Sequence, residues 1–226
     1  LLHADIHGYF QNPLNNWVYC AHDGGISRSK DYGSTWTTLS AGLHVTQYYR
    51  ISTVPNSSNI VLGGTQDNGH HVKYTNTSAF RWSLTCCDGM DNAINPDNPG
   101  IIYMSSQRGG LNRSVDSGKT WTAIRTNASS WVAPILLHST TPTTIFKAEN
   151  TGIWRSTNSG IDGWENLGTD GRGAIAQGVN NTNRFFAASD NGTLLRRSNN
   201  INSAAANVIW TVVSGNSGWP SNADLS

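Results

Sequence analysis

The sequence predicts an all-β chain built as a β-propeller of four-stranded blades, with about five blades present. Three observations carry that reading. The stretch Ser29-Lys30-Asp31-Tyr32-Gly33-Ser34-Thr35-Trp36 returns as Ser114-Val115-Asp116-Ser117-Gly118-Lys119-Thr120-Trp121. A looser copy, Ser156-Thr157-Asn158-Ser159-Gly160, reaches Trp164, and degenerate copies run from Thr75 to Trp82 and from Ser198 to Trp210. The five tryptophans recur at roughly forty to forty-six residues, the period of propeller blades. Secondly, a Gly, an apolar residue and usually Arg-Ser lead into the box, as in Gly25-Ile26-Ser27-Arg28-Ser29 and Gly152-Ile153-Trp154-Arg155-Ser156. Thirdly, an apolar β-run precedes each of these, and a turn cluster such as Asn95-Pro96-Asp97-Asn98-Pro99 precedes each run.

Each unit parses into strands A to D. In the first, A lies near 3–10, B near 17–22, C near 26–29 and D near 35–39. The blades then fall at about 1–40, 48–85, 86–125, 131–168 and 174–214, with 219–226 as the start of a further blade. Five blades and the start of a sixth imply a piece of a larger ring, seven blades being the preferred completion and a self-contained five-blade ring the alternative. An open propeller leaves blade faces unpacked, which is why closure matters.

The box reads as a turn device. Its Asp accepts hydrogen bonds from turn amides, its Gly supplies a conformation closed to other residues, and its Trp packs over the hairpin. Ser29, Asp31, Gly33 and Trp36, then Ser114, Asp116, Gly118 and Trp121, then Ser156, Asn158, Gly160 and Trp164 are therefore structural.

Composition limits function. Only 13% of residues are charged and the formal net charge is +1, which excludes a basic field for nucleic acid or anionic lipid. Glycine (23) and tryptophan (9) are abundant while glutamate occurs only at Glu149 and Glu165, a profile of short strands and polar turns. No apolar run approaches the length of about eighteen residues that a membrane span needs. The chain opens without a basic leader or initiator Met, as a mature or excised piece would. Cys20, Cys86 and Cys87 lack metal-ligand spacing and are expected to be unpaired, small and buried.

The box resembles the Asp-box, or bacterial neuraminidase repeat, found in sialidases, sortilin-type propellers and family 74 xyloglucan-cleaving glycoside hydrolases. Asp5-Ile6-His7, His22-Asp23-Gly24-Gly25, Thr46-Gln47-Tyr48, Gly63-Gly64-Thr65-Gln66-Asp67-Asn68-Gly69 and Asp88-Gly89-Met90 resemble, in this order, a group of secreted Bacteroidetes-type propellers often labelled glycosyl hydrolase. That resemblance implies an extracellular or cell-surface protein, type IX secretion, and further domains in the same parent chain. It does not imply sialidase activity. The Arg-Ile-Pro segment of those enzymes is absent, and Arg28, Arg113 and Arg155 repeat at one blade position instead of converging on a substrate carboxylate.

The candidate site lies at the other end of the blades. Boxes occupy C–D turns on one face, so B–C turns and D–A connections occupy the opposite face. Asp23, Asp67, Arg108, Asn150 and Asp190 share one B–C position, and Asp5, His7, Asp88 and Asp91 lie near the starts of innermost strands. Asp5, His7, Asp23, Gln66, Asp67, Asn68, Asp88 and Asp91 are thus expected to crowd one channel mouth, where they would bind a glycan or a protein partner. A glycoside hydrolase using a pair among Asp5, Asp23, Asp67 and Asp88 is the alternative, since crowded carboxyls raise one another's pKa. A third reading is a structural module holding Ca²⁺ at Asp5, Asp67 and Asp88. A zinc site would draw on His3, His7, His70 and His71, although no compact metal motif supports it. Trp131, Trp154 and Trp219 lie outside the box positions and are expected to pack between blades.

Overall fold

The computed structural model describes residues 2–43, 46–55, 57–74, 81–84 and 87–214, with backbone alone at 57–58 and 81–84. The box copy starting at Thr75, Cys86 and the 219–226 segment lie outside these residues. Five antiparallel sheets follow one another, each of four strands in sequence order. Blade 1 holds β1 (Ile6–Gln11), β2 (Val18–His22), β3 (Gly25–Ser29) and β4 (Thr37–Thr38). Blade 2 holds β5 (Tyr48–Val54), β6 (Ser57–Thr65), β7 (His70–Lys73) and β8 (Arg81–Leu84). Blade 3 holds β9 (Gly89–Ile94), β10 (Ile102–Ser106), β11 (Leu111–Ser114) and β12 (Thr122–Arg125). Blade 4 holds β13 (Ile135–Leu137), β14 (Ile145–Glu149), β15 (Gly152–Ser156) and β16 (Glu165–Asn166). Blade 5 holds β17 (Ala174–Gln177), β18 (Phe185–Ala188), β19 (Leu195–Ser198) and β20 (Thr211–Val212).

The repeated turn behaves as its chemistry demands. Asp31 Oδ1 accepts the Ser29 hydroxyl at 2.8 Å and the Thr35 amide at 2.8 Å, and Oδ2 accepts the Thr35 hydroxyl at 2.6 Å. Asp116 repeats all three bonds with Ser114 and Thr120. Asn158 and Asn200 substitute for the acid, each accepting the hydroxyl of the serine two residues before. Tyr32, Ser117 and Ser159 have positive φ and each precedes a left-handed glycine, so the turn needs two such residues in succession. The Trp36 indole donates to Gly33 O at 3.0 Å and closes the loop.

Between blades the core is apolar. Leu62, Val72, Ile94, Ile102 and Met104 join blades 2 and 3. Tyr103, Leu111, Ile135 and Ile145 join blades 3 and 4, and Phe146, Ile153, Phe185 and Ala187 join blades 4 and 5. Polar side chains tie the innermost strands across the same seams. Asn92 Nδ2 donates to Arg50 O at 3.2 Å, and Asp91 Oδ2 accepts the Ile135 amide at 2.9 Å. Blade 1 differs. Its rows Phe10–Tyr19 and Gly8–Ala21–Ile26 line an open, mostly apolar hollow of about 550 Å³. The corresponding Phe146, Ala148 and Ile153 of blade 4 are fully buried.

Two expectations are corrected. Cys87 is disulfide-bonded, so the cysteines are not all unpaired; Cys20 alone matches the expectation, a free and fully buried thiol. Trp131 is not interblade packing, because its ring is 46% exposed. Among the described residues no helix is long and apolar enough to cross a membrane.

Candidate functional site

The site is assembled from the approach to β1, β1 itself and two B–C turns. Asp23 follows β2, and its amide bonds Asp5 O at 3.1 Å, which draws the start of the chain across the turn. The imidazole of His7, on β1, bonds Asp23 Oδ1. Blade 2 brings its own turn alongside. Asn68 Nδ2 donates to Asp23 O at 3.4 Å, and His3 Nε2 donates to Asp67 O at 2.9 Å. The carboxyls of Asp23 and Asp67 are close enough to influence each other.

That proximity decides which is protonated first. Burial, and then the hydrogen bond and charge of Asp23, push the Asp67 carboxyl up to about 6. The His7 hydrogen bond, with the Asp67 bond next, pulls Asp23 below the usual range. Of the two, Asp67 is the one that takes up a proton first, as pH falls toward 6, while Asp23 stays a carboxylate. His7 is raised by the same Asp23 bond. Two carboxyls and an imidazole side by side offer both acceptors and a donor to a polar ligand.

Asp5, His7, Asp23, Asp67 and Asn68 are thus brought together. Gln66 belongs to the same turn through its carbonyl, which accepts Asn68 Nδ2 at 3.1 Å. Asp88 and Asp91 have different duties. Asp88 is 8% exposed and accepts the Asp67 amide at 2.6 Å, holding that residue at φ 60°. Asp91 spends its two oxygens on the amides of Asn92 and Ile135. Both are engaged with backbone amides, Asp88 through one oxygen and Asp91 through two. His70 and His71 are buried within the sheet of blade 2, away from solvent, and His71 Nδ1 bonds the Tyr48 hydroxyl at 2.9 Å. Among the described residues they do not gather with His3 and His7.

The same B–C position continues round the mouth. Arg172 donates to Asp170 Oδ1 at 3.0 Å and to Asn150 Oδ1 at 3.2 Å, and lies 3.6 Å from Asp190. Asp170, Arg172, Asp190 and Arg196 line a hollow of about 510 Å³. At blade 3, Arg108 lies over the exposed Trp131 ring, 5.8 Å from its centroid, and the indole N–H reaches the Tyr49 hydroxyl at 3.5 Å. Sequence reasoning missed Asp170 and Arg172, which lie in a D–A connection without a repeat signal. Trp131 it placed in the core.

The recurring arginines remain in separate blades. Arg28 lies over Trp17, while Arg155 donates to the carbonyls of Ile201 and Ser203. No family model matches the chain, and no curated protein matches it in sequence. Solved structures do match in fold. An ancestral GH74 enzyme is similar over 93% of this chain and 31% of its own, at 19% identity and a TM-score of 0.60. The GH74 enzyme of Niastella koreensis is similar over 93% and 38%, at 20% identity and 0.57. YCF48 from Cyanidioschyzon merolae is similar over 93% and 72%, at 13% identity and 0.51.

The fold is a β-propeller. Identities this low establish architecture alone, and the chain spans about a third of the length of the GH74 structures.

Proposed function

We propose that this chain is a secreted or cell-surface propeller module of the Asp-box kind that binds a glycan at the mouth opposite its Ser-x-Asp turns. The observation that carries the reading is the cluster of Asp23 and Asp67, whose carboxyls are shifted in opposite directions, with Asp5 and His7 exposed beside them. Sugar hydroxyls both donate and accept, so they suit such a mixed set. The exposed Trp131 ring on the same face adds a surface on which a sugar can stack. A disulfide at Cys87 fits an oxidising compartment outside the cytosol. A protein partner is the other occupant that this mouth would suit.

The second reading is glycoside hydrolysis, favoured by the likeness to GH74 enzymes, one of which is a xyloglucanase from Xanthomonas campestris. Geometry weighs against it at the central pair. Acid and base or nucleophile stand about 5–9.5 Å apart in such enzymes, and Asp23, already bonded to His7, would have to serve as one of them.

Titration of xyloglucan and other β-glucan oligosaccharides by calorimetry, alongside a reducing-sugar assay, separates the readings. Binding without turnover, weakened at least tenfold by Asp23→Asn and by Trp131→Ala, is expected. Turnover abolished by Asp23→Asn would replace the first reading by the second. Binding of no glycan by a folded chain would remove both and leave the protein-partner arm, tested by a pull-down that Asp23→Asn must disrupt.

A further inference from the structure

We propose that His3, Asp5 and Asp23 form a binding site for one divalent transition-metal ion of the zinc class. This rests on the channel mouth being the working face, but it does not require that the ligand there be a glycan. One ligand atom from each of the three residues lies within 4.8 Å of the other two, and His3 Nδ1 stands 3.6 Å from Asp5 Oδ2. A tetrahedral ion with bonds of about 2.0–2.1 Å places its ligands about 3.3 Å apart, within a small side-chain rotation of this arrangement.

The orientation of His3 argues for the same conclusion. Its Nε2 faces the Asp67 carbonyl, which can only accept, so Nε2 carries the hydrogen and Nδ1 presents a lone pair. An imidazole whose far nitrogen is tied to a backbone carbonyl is the usual arrangement of a metal-ligating histidine. Nδ1 then turns toward two carboxylates and accepts the Asp5 amide at 3.2 Å, a bond that a bound ion replaces. Asp23 is itself oriented by His7, whose ring bonds Oδ1.

An independent observation comes from beneath the cluster. His22 is 8% exposed, bonds Ser27 Oγ through Nε2 and leaves Nδ1 without a partner. Its ring stacks on that of His3, with centroids 6.2 Å apart and planes at 10°. Nδ1 faces Gly24, next to Asp23, and a Cβ there would stand 3.1 Å from it and 3.5 Å from His3 Cβ. The glycine keeps this wall free of side chain while the buried ring sets the plane of His3.

The donor set selects the ion. Imidazole with two carboxylates suits Zn²⁺ and its neighbours, whereas Ca²⁺ requires six to eight oxygen ligands. The three residues leave one or more positions on the ion free, beside the Asp23–Asp67 pair.

The test is calorimetric titration of the untagged, chelator-treated full chain with ZnCl₂, MnCl₂ and CaCl₂. One Zn²⁺ per chain is expected, weakened at least thirtyfold by His3→Ala and tenfold by Asp5→Asn. Asp5 is 61% exposed in its side chain, so that variant folds whatever its role. His138→Ala, far along the chain on blade 4, should leave the affinity unchanged. Absence of saturable binding, binding indifferent to Asp5→Asn, or preference for Ca²⁺ would overturn the proposal. Glycan titration in the presence of EDTA keeps the two readings separate, since loss of the metal site alone leaves glycan binding in place.

Discussion

Glu149→Gln is the perturbation whose cost the structure defines most closely. Glu149 is fully buried at the end of β14 and accepts from two cations at once. Lys147 Nζ, also fully buried, reaches Oε1 at 2.8 Å, and Arg125 makes a two-pronged contact through Nε and Nη2, the latter at 2.9 Å. A unit charge pair at 2.8 Å interacts by about 6 kcal/mol at an effective dielectric of about 20, most of which offsets desolvation. The amide of glutamine removes the charge and retains the shape. Lys147, which also donates to Asn127 O at 3.0 Å, is then left without a compensating charge in surroundings whose burial already lowers its pKa. Arg125 retains its place over Trp154 and Trp164. Removing one partner of such a group costs about 3–5 kcal/mol. Urea denaturation at neutral pH should show that loss as a lower midpoint with an unchanged slope. Adding Lys147→Met should restore about half, because the buried ammonium is the part left uncompensated. A cost below about 1 kcal/mol, or a double variant that loses the sum of the singles, would refute the assignment of Glu149 as the neutralising centre of the blade 3–4 seam.

Three further outcomes follow from the same coordinates. His70 is 1% exposed with neither ring nitrogen partnered, and burial lowers its pKa to about 3. The unfolded chain therefore takes up a proton near pH 6.5 that the folded chain refuses. Stability is complete above that pH and falls by up to about 1.4 kcal/mol per unit as pH drops toward 3; His70→Leu should flatten this part of the stability–pH curve, and a parallel curve would count against it. Gly89→Ala would place a Cβ 2.0 Å from Gly69 O, backbone against backbone between blades 2 and 3, so the variant should lose cooperative thermal unfolding; a wild-type transition would show that the seam yields. Asp31 is held at about 2 by the Thr35 hydroxyl and amide, and Asp116 is lowered in the same way by Thr120. Each folded pKa lies below the unfolded value, so this stabilisation is present above about pH 4 and lost as pH falls through the folded pKa; Asp116→Ala should lower the midpoint at pH 7 and narrow its difference from wild type near pH 2.

Propeller architecture was legible because the box is local chemistry repeated. Ser29, Asp31, Gly33 and Trp36 close their turn with bonds that span four residues or fewer, so a one-dimensional pattern contains the whole device. The relaxed copies followed the same logic, since asparagine at 158 and 200 retains the acceptor oxygen. The seams were only partly legible. Apolar B strands announced a core, but the Lys147–Glu149–Arg125 group joins residues on two strands of different blades, and nothing local marks it.

The mouth shows where one-dimensional reading stops. Topology correctly grouped Asp5, His7, Asp23, Asp67 and Asn68, because the face of a B–C turn follows from strand order alone. It could not separate an Asp that meets solvent from one that builds the turn beneath it. Asp67 and Asp88 belong to equally polar loops, yet the side chain of Asp88 is spent on the amide of Asp67. That bond gives the two residues different work: Asp88 holds the left-handed backbone of Asp67, and Asp67 can then present its carboxyl to Asp23 across the gap between blades. The contact depends on how blade 1 sits beside blade 2, and this is also why His3 matters. Its Nε2 reaches the same Asp67 from the opposite side, so one residue of blade 2 orients both the carboxyl pair and the imidazole of blade 1. Asp67 is thus the joint of the mouth, and a substitution there should disturb every ligand that the mouth holds.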